Sequence, residues 1–246
     1  MPQFSDDLFL GIAVGANPSG DGNPSPMPMG VGPLGRVYIW DVVPATLLAN
    51  GVALSQNPAS GAAFSLTAGA GTTSRIGSNG TLEVILDVPR SVTITAAGAN
   101  TAIYRVEGYD QYGQPMSQLL AAPSTSTVAT TKAFKVVSRV INTNATAGLN
   151  GLTVGFNDKL GLPVRLSDIG YVLSQKWAGV ATQDAGTLVA ADATSPATVS
   201  TTDVRGSYTP SSAANGARRL IMAIAVPGIA AGPNATRVGA FGVTQV

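Results

Sequence analysis

The chain has 246 residues, 45% of them hydrophobic and 11% charged, with a formal net charge of +1 and neither histidine nor cysteine. The missing residue types exclude Ser-His-Asp and Cys-His catalysis, disulfide frameworks and histidine- or cysteine-held metals. A balance of +1 gives no general attraction for nucleic acid, whose affinity grows with the number of phosphates neutralised.

The low charge carries a positive message too. Soluble domains hold about 25% charged residues, and a free monomer stays in solution largely through them. A chain that puts Thr, Ser, Ala and Gly in their place is expected to cover much of its surface with partners. Gly 29 and Pro 16 supply turn chemistry suited to many short strands rather than long helices. The longest apolar run, Leu220 to Val226, is stopped by Pro227-Gly228. It falls far short of the ~20 residues of a membrane span. Asp6 and Asp7 stand where a secretion signal would be basic, so none is expected.

Residues 1–35 read as an extended arm. Pro18, Pro24, Pro26, Pro28 and Pro33, set among Gly, Asn and Ser, prevent a helix or a central strand. Such a segment either stays loose or becomes ordered along a neighbouring subunit, which makes these prolines candidate interface residues. A β-sandwich domain is expected over 36–246, with a division into two packed subdomains near 150 as the alternative.

Strand signals begin at Arg36 to Val43 and stop at Pro44. Ala45 to Ala49, followed by Asn50-Gly51, reads as one helical turn with a left-handed cap. Leu82, Val84 and Leu86 alternate with Glu83 and Asp87, so the apolar set should face a core and the carboxylates solvent. The alternation resumes after Pro89-Arg90, with Val92 and Ile94 inward. Tyr104 and Val106 oppose Arg105 and Glu107 in the next strand. The stretch from Asp110 to Pro115 is a hairpin loop returning into Met116 to Leu120, and its Tyr112, with neighbouring Tyr109, is a candidate contact. Phe134 to Ile141 places Lys135 and Arg139 on a polar side.

Later strands are expected at Leu152 to Phe156, Tyr171 to Trp177, Gly186 to Ala190 and Leu220 to Val226. The last is apolar on both faces, because Leu220, Met222 and Ile224 alternate with Ile221, Ala223 and Ala225. A strand of that kind is covered on both sides, in a sandwich centre or at a subunit contact, so Leu220, Met222 and Ile224 join the candidate interface. Regularly spaced short strands give an all-β fold, an antiparallel β-sandwich of jelly-roll or Ig-like type.

Little catalytic chemistry remains. None of Lys132, Lys135, Lys159 and Lys176 has a serine three places earlier, and Gly-Lys, needed for a phosphate loop, does not occur. Gly30 to Gly35 satisfies G-x-G-x-x-G, but it follows a proline-rich arm and precedes a strand, the wrong setting for a dinucleotide. No cofactor and no metal site are expected. A hydrolase reading requires two of Glu83, Asp87, Glu107 and Asp110 to converge on a cleft. Sugar binding would use Tyr109, Tyr112, Trp40 or Trp177 as stacking surfaces.

Several segments resemble virion structural proteins of tailed bacteriophages. They are Val88 to Ile94, Tyr104 to Met116, Lys132 to Val137, Leu160-Gly161-Leu162-Pro163 and Asp203 to Pro210, together about a third of the chain. The resemblance implies a non-enzymatic decoration or cement protein on the capsid surface. Its partners would be the major capsid protein and further copies of itself, often as a trimer, with no catalytic residues to carry over. A tail or head-to-tail adaptor component, or a receptor- or carbohydrate-binding virion module, would share the same composition.

Overall fold

The computed structural model of the chain describes residues 11–13, 31–33, 35–121, 123, 126–144, 150–192, 203–227 and 243–246. The strands among these are, in chain order, β1 (Gly11–Ala13), β2 (Val31–Pro33), β3 (Gly35–Val42), β4 (Leu48–Gln56), β5 (Thr72–Ile76), β6 (Leu82–Thr95) and β7 (Tyr104–Tyr109). They continue as β8 (Pro115–Leu120), β9 (Thr127–Asn142), β10 (Leu152–Gly161), β11 (Val172–Trp177), β12 (Thr187–Val189), β13 (Ser207–Thr209) and β14 (Leu220–Pro227). The fold is all-β and antiparallel, as the alternation predicts. Pro18, Pro24, Pro26 and Pro28 lie outside the described residues. Pro33 ends β2, opposite Gly11 of β1.

The largest sheet runs β12-β13-β10-β6-β9-β7-β8, with β4 also on β10 and β5 also on β6, and it curls into a half-barrel. Its concave side holds a first core of inward residues from β4 and β6 to β10, among them Val92, Ile94, Tyr104, Val106, Phe134, Val154 and Phe156. A second sheet, β11-β14-β3, packs over the β10, β12 and β13 end through a second core that includes Trp40, Leu160, Trp177, Tyr208, Leu220, Met222 and Ile224. The two cores do not divide the chain at residue 150. Trp40 and Val88 belong to the second core, while Leu152, Val154 and Phe156 belong to the first.

Long strands of the large sheet change partners part-way, and this produces the curl. β6 pairs β5 through Leu82 to Leu86, then β10 through Arg90 to Thr95. β10 in turn pairs β4 between Leu152 and Phe156, then β13 at Leu160 and Gly161. A break after Pro89-Arg90 is therefore not what happens: β6 runs on, and Asp87 to Pro89 form the unladdered bend between its two sets of partners. Proline is tolerated there because no ladder bond is asked of its nitrogen.

Arg90 fills that bend. It has no exposed surface, and its guanidinium stacks on Phe156 with Cζ 4.9 Å from the ring centroid. Nη2 donates to Asp87 Oδ2 at 2.7 Å and to the Ala45 carbonyl at 2.7 Å. Nη1 reaches the Asn157 carbonyl and Asp158 Oδ1, each at 3.4 Å. Asp87 Oδ2 also accepts the Ala45 N–H at 2.7 Å, and Asp158 Oδ2 accepts that of Ala214 at 3.1 Å. One side chain thus ties the bends of β6 and β10 to the β3–β4 connection. Burial nonetheless raises the Asp158 carboxyl above its ordinary range, against the pull of the Ala214 N–H and Arg90.

Four expectations are corrected here. The helical turn at Ala45 to Ala49 is absent: Leu48 opens β4, whose Val52 and Ala53 are wholly buried against β10. A free ladder edge on β10 outweighs a local cap signal. Glu83 is not a solvent-facing charge but 3% exposed, held by Arg75 Nε of β5 at 2.7 Å. Leu220, Met222 and Ile224 are completely buried within the chain's own second core, so these side chains have no surface to offer a partner. Trp40 and Trp177 are likewise core residues, which removes them as sugar-stacking platforms.

Two outcomes follow. Arg90→Met, which keeps the volume but strands Asp87 and Asp158, should cost about 3–5 kcal/mol in urea unfolding. Asp184 accepts hydrogen bonds from the Tyr208 hydroxyl, the Ser211 hydroxyl, and the Ser211 and Gly186 N–H groups. Burial raises its carboxyl, but these bonds outweigh that and hold it below the ordinary value of 3.8. Because the unfolded chain binds this proton more readily, the stability Asp184 supplies is complete above that value and is lost as pH falls through the folded value. Thermal melts of Asp184→Asn should therefore lie below wild type at pH 7 and converge with it toward pH 2.

Candidate functional site

Two kinds of site can be built from the polar residues, and they differ in access. The first is a buried ionic cluster under the β7–β8 hairpin. Asp110 opens the hairpin loop, and its Oδ1 accepts the N–H groups of Tyr112 at 2.8 Å and Gln114 at 2.9 Å, an arrangement that suits Asp in a turn. Its Oδ2 takes Arg205 Nη1 at 2.6 Å, with both side chains almost entirely buried. Arg205 lies over the Tyr112 ring at 4.7 Å, and the Tyr112 hydroxyl donates to the Pro163 carbonyl at 2.7 Å. The hairpin tip is thus tethered inward, although Tyr112 remains 60% exposed.

Around this pair, Asp203 accepts the N–H groups of Ala133 and Arg205, both at 2.9 Å. Lys132, 2% exposed, donates to the carbonyls of Ser117 at 2.8 Å and Gln245 at 2.6 Å. Burial pushes the Lys132 ammonium down from its ordinary value, partly countered by Asp203 and Asp192, and pushes the Asp203 carboxyl up. The cluster joins β7, β8, β9, the 203–206 turn and residues 243–246. Closed to solvent and internally bonded, it serves as a staple.

The second site is open. At Ser138 the ladder between β7 and β9 slips, because Gly108 pairs with Val137 while Glu107 pairs with Arg139, leaving Ser138 as the extra residue of a bulge. Gly108 is required there, since a Cβ would run into the Val136 carbonyl oxygen. At this point β9 also loses β6, whose last pair is Val84 with Val137. Beyond it, the segment around Phe64 takes over, with its N–H 2.8 Å from the Val140 carbonyl and an isolated bridge between Ala63 and Ile141. The handover leaves a gap in the sheet surface.

Two adjoining hollows of about 690 and 430 Å3 occupy that gap and share Glu107 and Ser138. Ser65, Asn79, Thr81 and Arg139 line the larger, and Arg105, Tyr109 and Ser117 the smaller. Bulges recur beside functional sites because they re-aim side chains and interrupt pairing. Here the re-aimed groups are Glu107, with Arg105 Nε 2.6 Å from one carboxylate oxygen, and Arg139, whose Nη1 stands 4.0 Å from the other. The Arg105 N–H is not aimed at that oxygen.

Of the sequence candidates, Tyr109 reaches this trough, Tyr112 does not line it, and the arm prolines other than Pro33 lie outside the described residues. The four acidic candidates are dispersed: Glu83 pairs with Arg75, Asp87 with Arg90, Glu107 with Arg105 and Arg139, and Asp110 with Arg205. Only Glu107 lines either hollow, so the two-carboxylate arrangement of glycoside hydrolysis is not assembled there. Among the described residues no group of three or more Asp and Glu is placed to hold a metal ion. Sequence reasoning missed Ser138, Asn79 and the guanidinium pair as one unit, since their meeting depends on the partner change of β9. No protein-family model matches the chain, and neither the curated proteins nor the solved structures yield a match.

Proposed function

We propose that the chain is a non-enzymatic structural component of a virus particle, a decoration or cement protein that stabilises a phage head by bridging subunits of the major capsid protein. The observation that supports this best is the outer face of the β11-β14-β3 sheet. There Ile39, 57% exposed, lies beside Ala223, and the row continues to Ser174 of β11. The neighbouring row is Asp41, Ile221 and Lys176, with Asp41 already neutralised by Arg219. An exposed isoleucine set in a strip of Ala223 and Ile221, beside a self-neutralised Asp41–Arg219 pair and a single further cation at Lys176, suits the apolar centre and polar rim of an interface.

The charge inventory points the same way. Among the described residues seven charged ones, Glu83, Arg90, Asp110, Lys132, Asp192, Asp203 and Arg205, are buried, so the described surface is poorer in charge than the composition alone suggests. Large apolar side chains such as Val43, Leu54, Ile76, Leu119 and Leu173 remain exposed on it. A bridging protein needs shape and apolar or hydroxyl-rich contact, and it needs no titrating group. The arm at 1–35 would order along a neighbouring subunit. A tail or head-to-tail adaptor component would make the same physical demands, and copy number separates the two.

Purified particles analysed by mass spectrometry should contain the protein at a copy number comparable with the major shell protein; a handful of copies per particle would favour the adaptor. Bare shells should bind Ile39→Lys at least about tenfold more weakly than wild type, since the substitution buries a charge at the contact. Deleting residues 2–33 should also weaken binding while leaving the thermal melt in place. Full-affinity binding by both variants would refute the assignment.

A further inference from the structure

We propose that the trough over Glu107 and Ser138 is a saccharide-binding site selective for a glycan that carries carboxylates, such as an oligomer of a uronic acid. This does not rest on the capsid reading and would hold wherever the protein resides.

The floor of the trough decides between ligand classes. It is a sheet face, and the backbone groups of β7 are consumed on both sides by β8 and β9. An extended peptide laid across β7 would therefore gain no main-chain bonds from it. Recognition must pass through side chains, and the ones present are hydroxyls, an amide, a carboxylate and two guanidiniums. Asn79 spends its Oδ1 on the Thr81 N–H at 3.2 Å and hydroxyl at 2.7 Å, which leaves its Nδ2 donors for a ligand. Ser138 Oγ donates to the Glu107 carbonyl at 3.1 Å and keeps its lone pairs for an incoming hydroxyl. Half-buried Tyr109 lines the smaller hollow, and an aromatic ring there can stack on the apolar side of a pyranose.

Charge sets the preference for an acidic sugar. Arg105 and Arg139 flank the carboxylate of Glu107, and the smaller hollow also reaches Val246, so any preference is set by the individual guanidinium that is free to turn to a ligand. Arg139 makes only the loose 4.0 Å approach to Glu107, and its side chain is 48% exposed, so its planar fork is available for a bidentate carboxylate. The two hollows, of about 690 and 430 Å3, fall within the size range of ligand pockets.

The test is calorimetric titration of the full chain with trigalacturonate, with maltotriose as the neutral control and triglutamate as the carboxylate control without sugar. Trigalacturonate should bind, maltotriose should bind at least about tenfold more weakly, and Arg139→Gln should lose about tenfold for trigalacturonate with an unchanged thermal melt. Chemical-shift changes on adding trigalacturonate should include the Tyr109 ring. No binding of trigalacturonate at about 10 mM, far weaker than a specific site requires, would overturn the assignment. So would an Arg139→Gln variant that binds as wild type does. Triglutamate binding as tightly as trigalacturonate would also overturn it, by showing a carboxylate contact that is indifferent to sugar.

Discussion

The architecture turns on a guanidinium placed where no water reaches. Strands β6 and β10 each exchange one partner for another part-way along, and at the point of exchange their ladders leave backbone and carboxylate groups that need donors. Arg90 supplies them from one planar group, while its underside rests on Phe156. Lysine offers a single point charge and cannot address Asp87, Ala45 and Asp158 in one plane. Desolvating such an ion costs several kcal/mol, and only dense bonding of its neighbours offsets that. The bend is consequently a place where sequence identity is fixed by geometry rather than by hydrophobicity. Lys135 reinforces the same turn, with Nζ bonded to the carbonyls of Leu86 at 2.6 Å and Asp87 at 2.9 Å.

How legible was this in the sequence? Strands whose two faces differ in polarity could be read directly, because a period of two in hydrophobicity reports one buried face. Val84, Leu86, Val92, Ile94, Tyr104 and Val106 point inward as their alternation predicts, and the turn at Asp110 to Gln114 returns β7 into β8. Segments whose environment is set by distant residues could not be read. Asn50-Gly51 resembles a helix cap, yet it lies in β4, where the Phe156 ring sits too close to Gly51 to admit a Cβ. Glu83 looks like a surface charge until β5 brings Arg75 across it. β13 has three residues and exists because β10 and β12 bracket it.

The trough shows the same limit at the level of a site. Arg105, Glu107 and Tyr109 fall on one face by simple alternation, and Arg139 falls on the polar side of its own strand. Nothing local announces that Ser138 is an inserted residue or that Asn79 arrives beside it. Both are consequences of β9 passing from β6 to the segment at Phe64, an event between pieces of chain far apart in sequence. The low charge that dominates the composition reads differently once the fold is known. Among the described residues, seven ionic groups are buried, while many aliphatic side chains stand exposed.

The staple beneath the hairpin has a bearing on how the protein is made. Lys132 receives one of its two acceptors from Gln245, 113 positions further along the chain, and Asp110 receives an amide from the same residue across 135 positions. Until that residue has been made, the Lys132 ammonium lacks one of its two carbonyl acceptors. The staple therefore cannot close until position 245 has been synthesised, a constraint set by the connectivity of its hydrogen bonds.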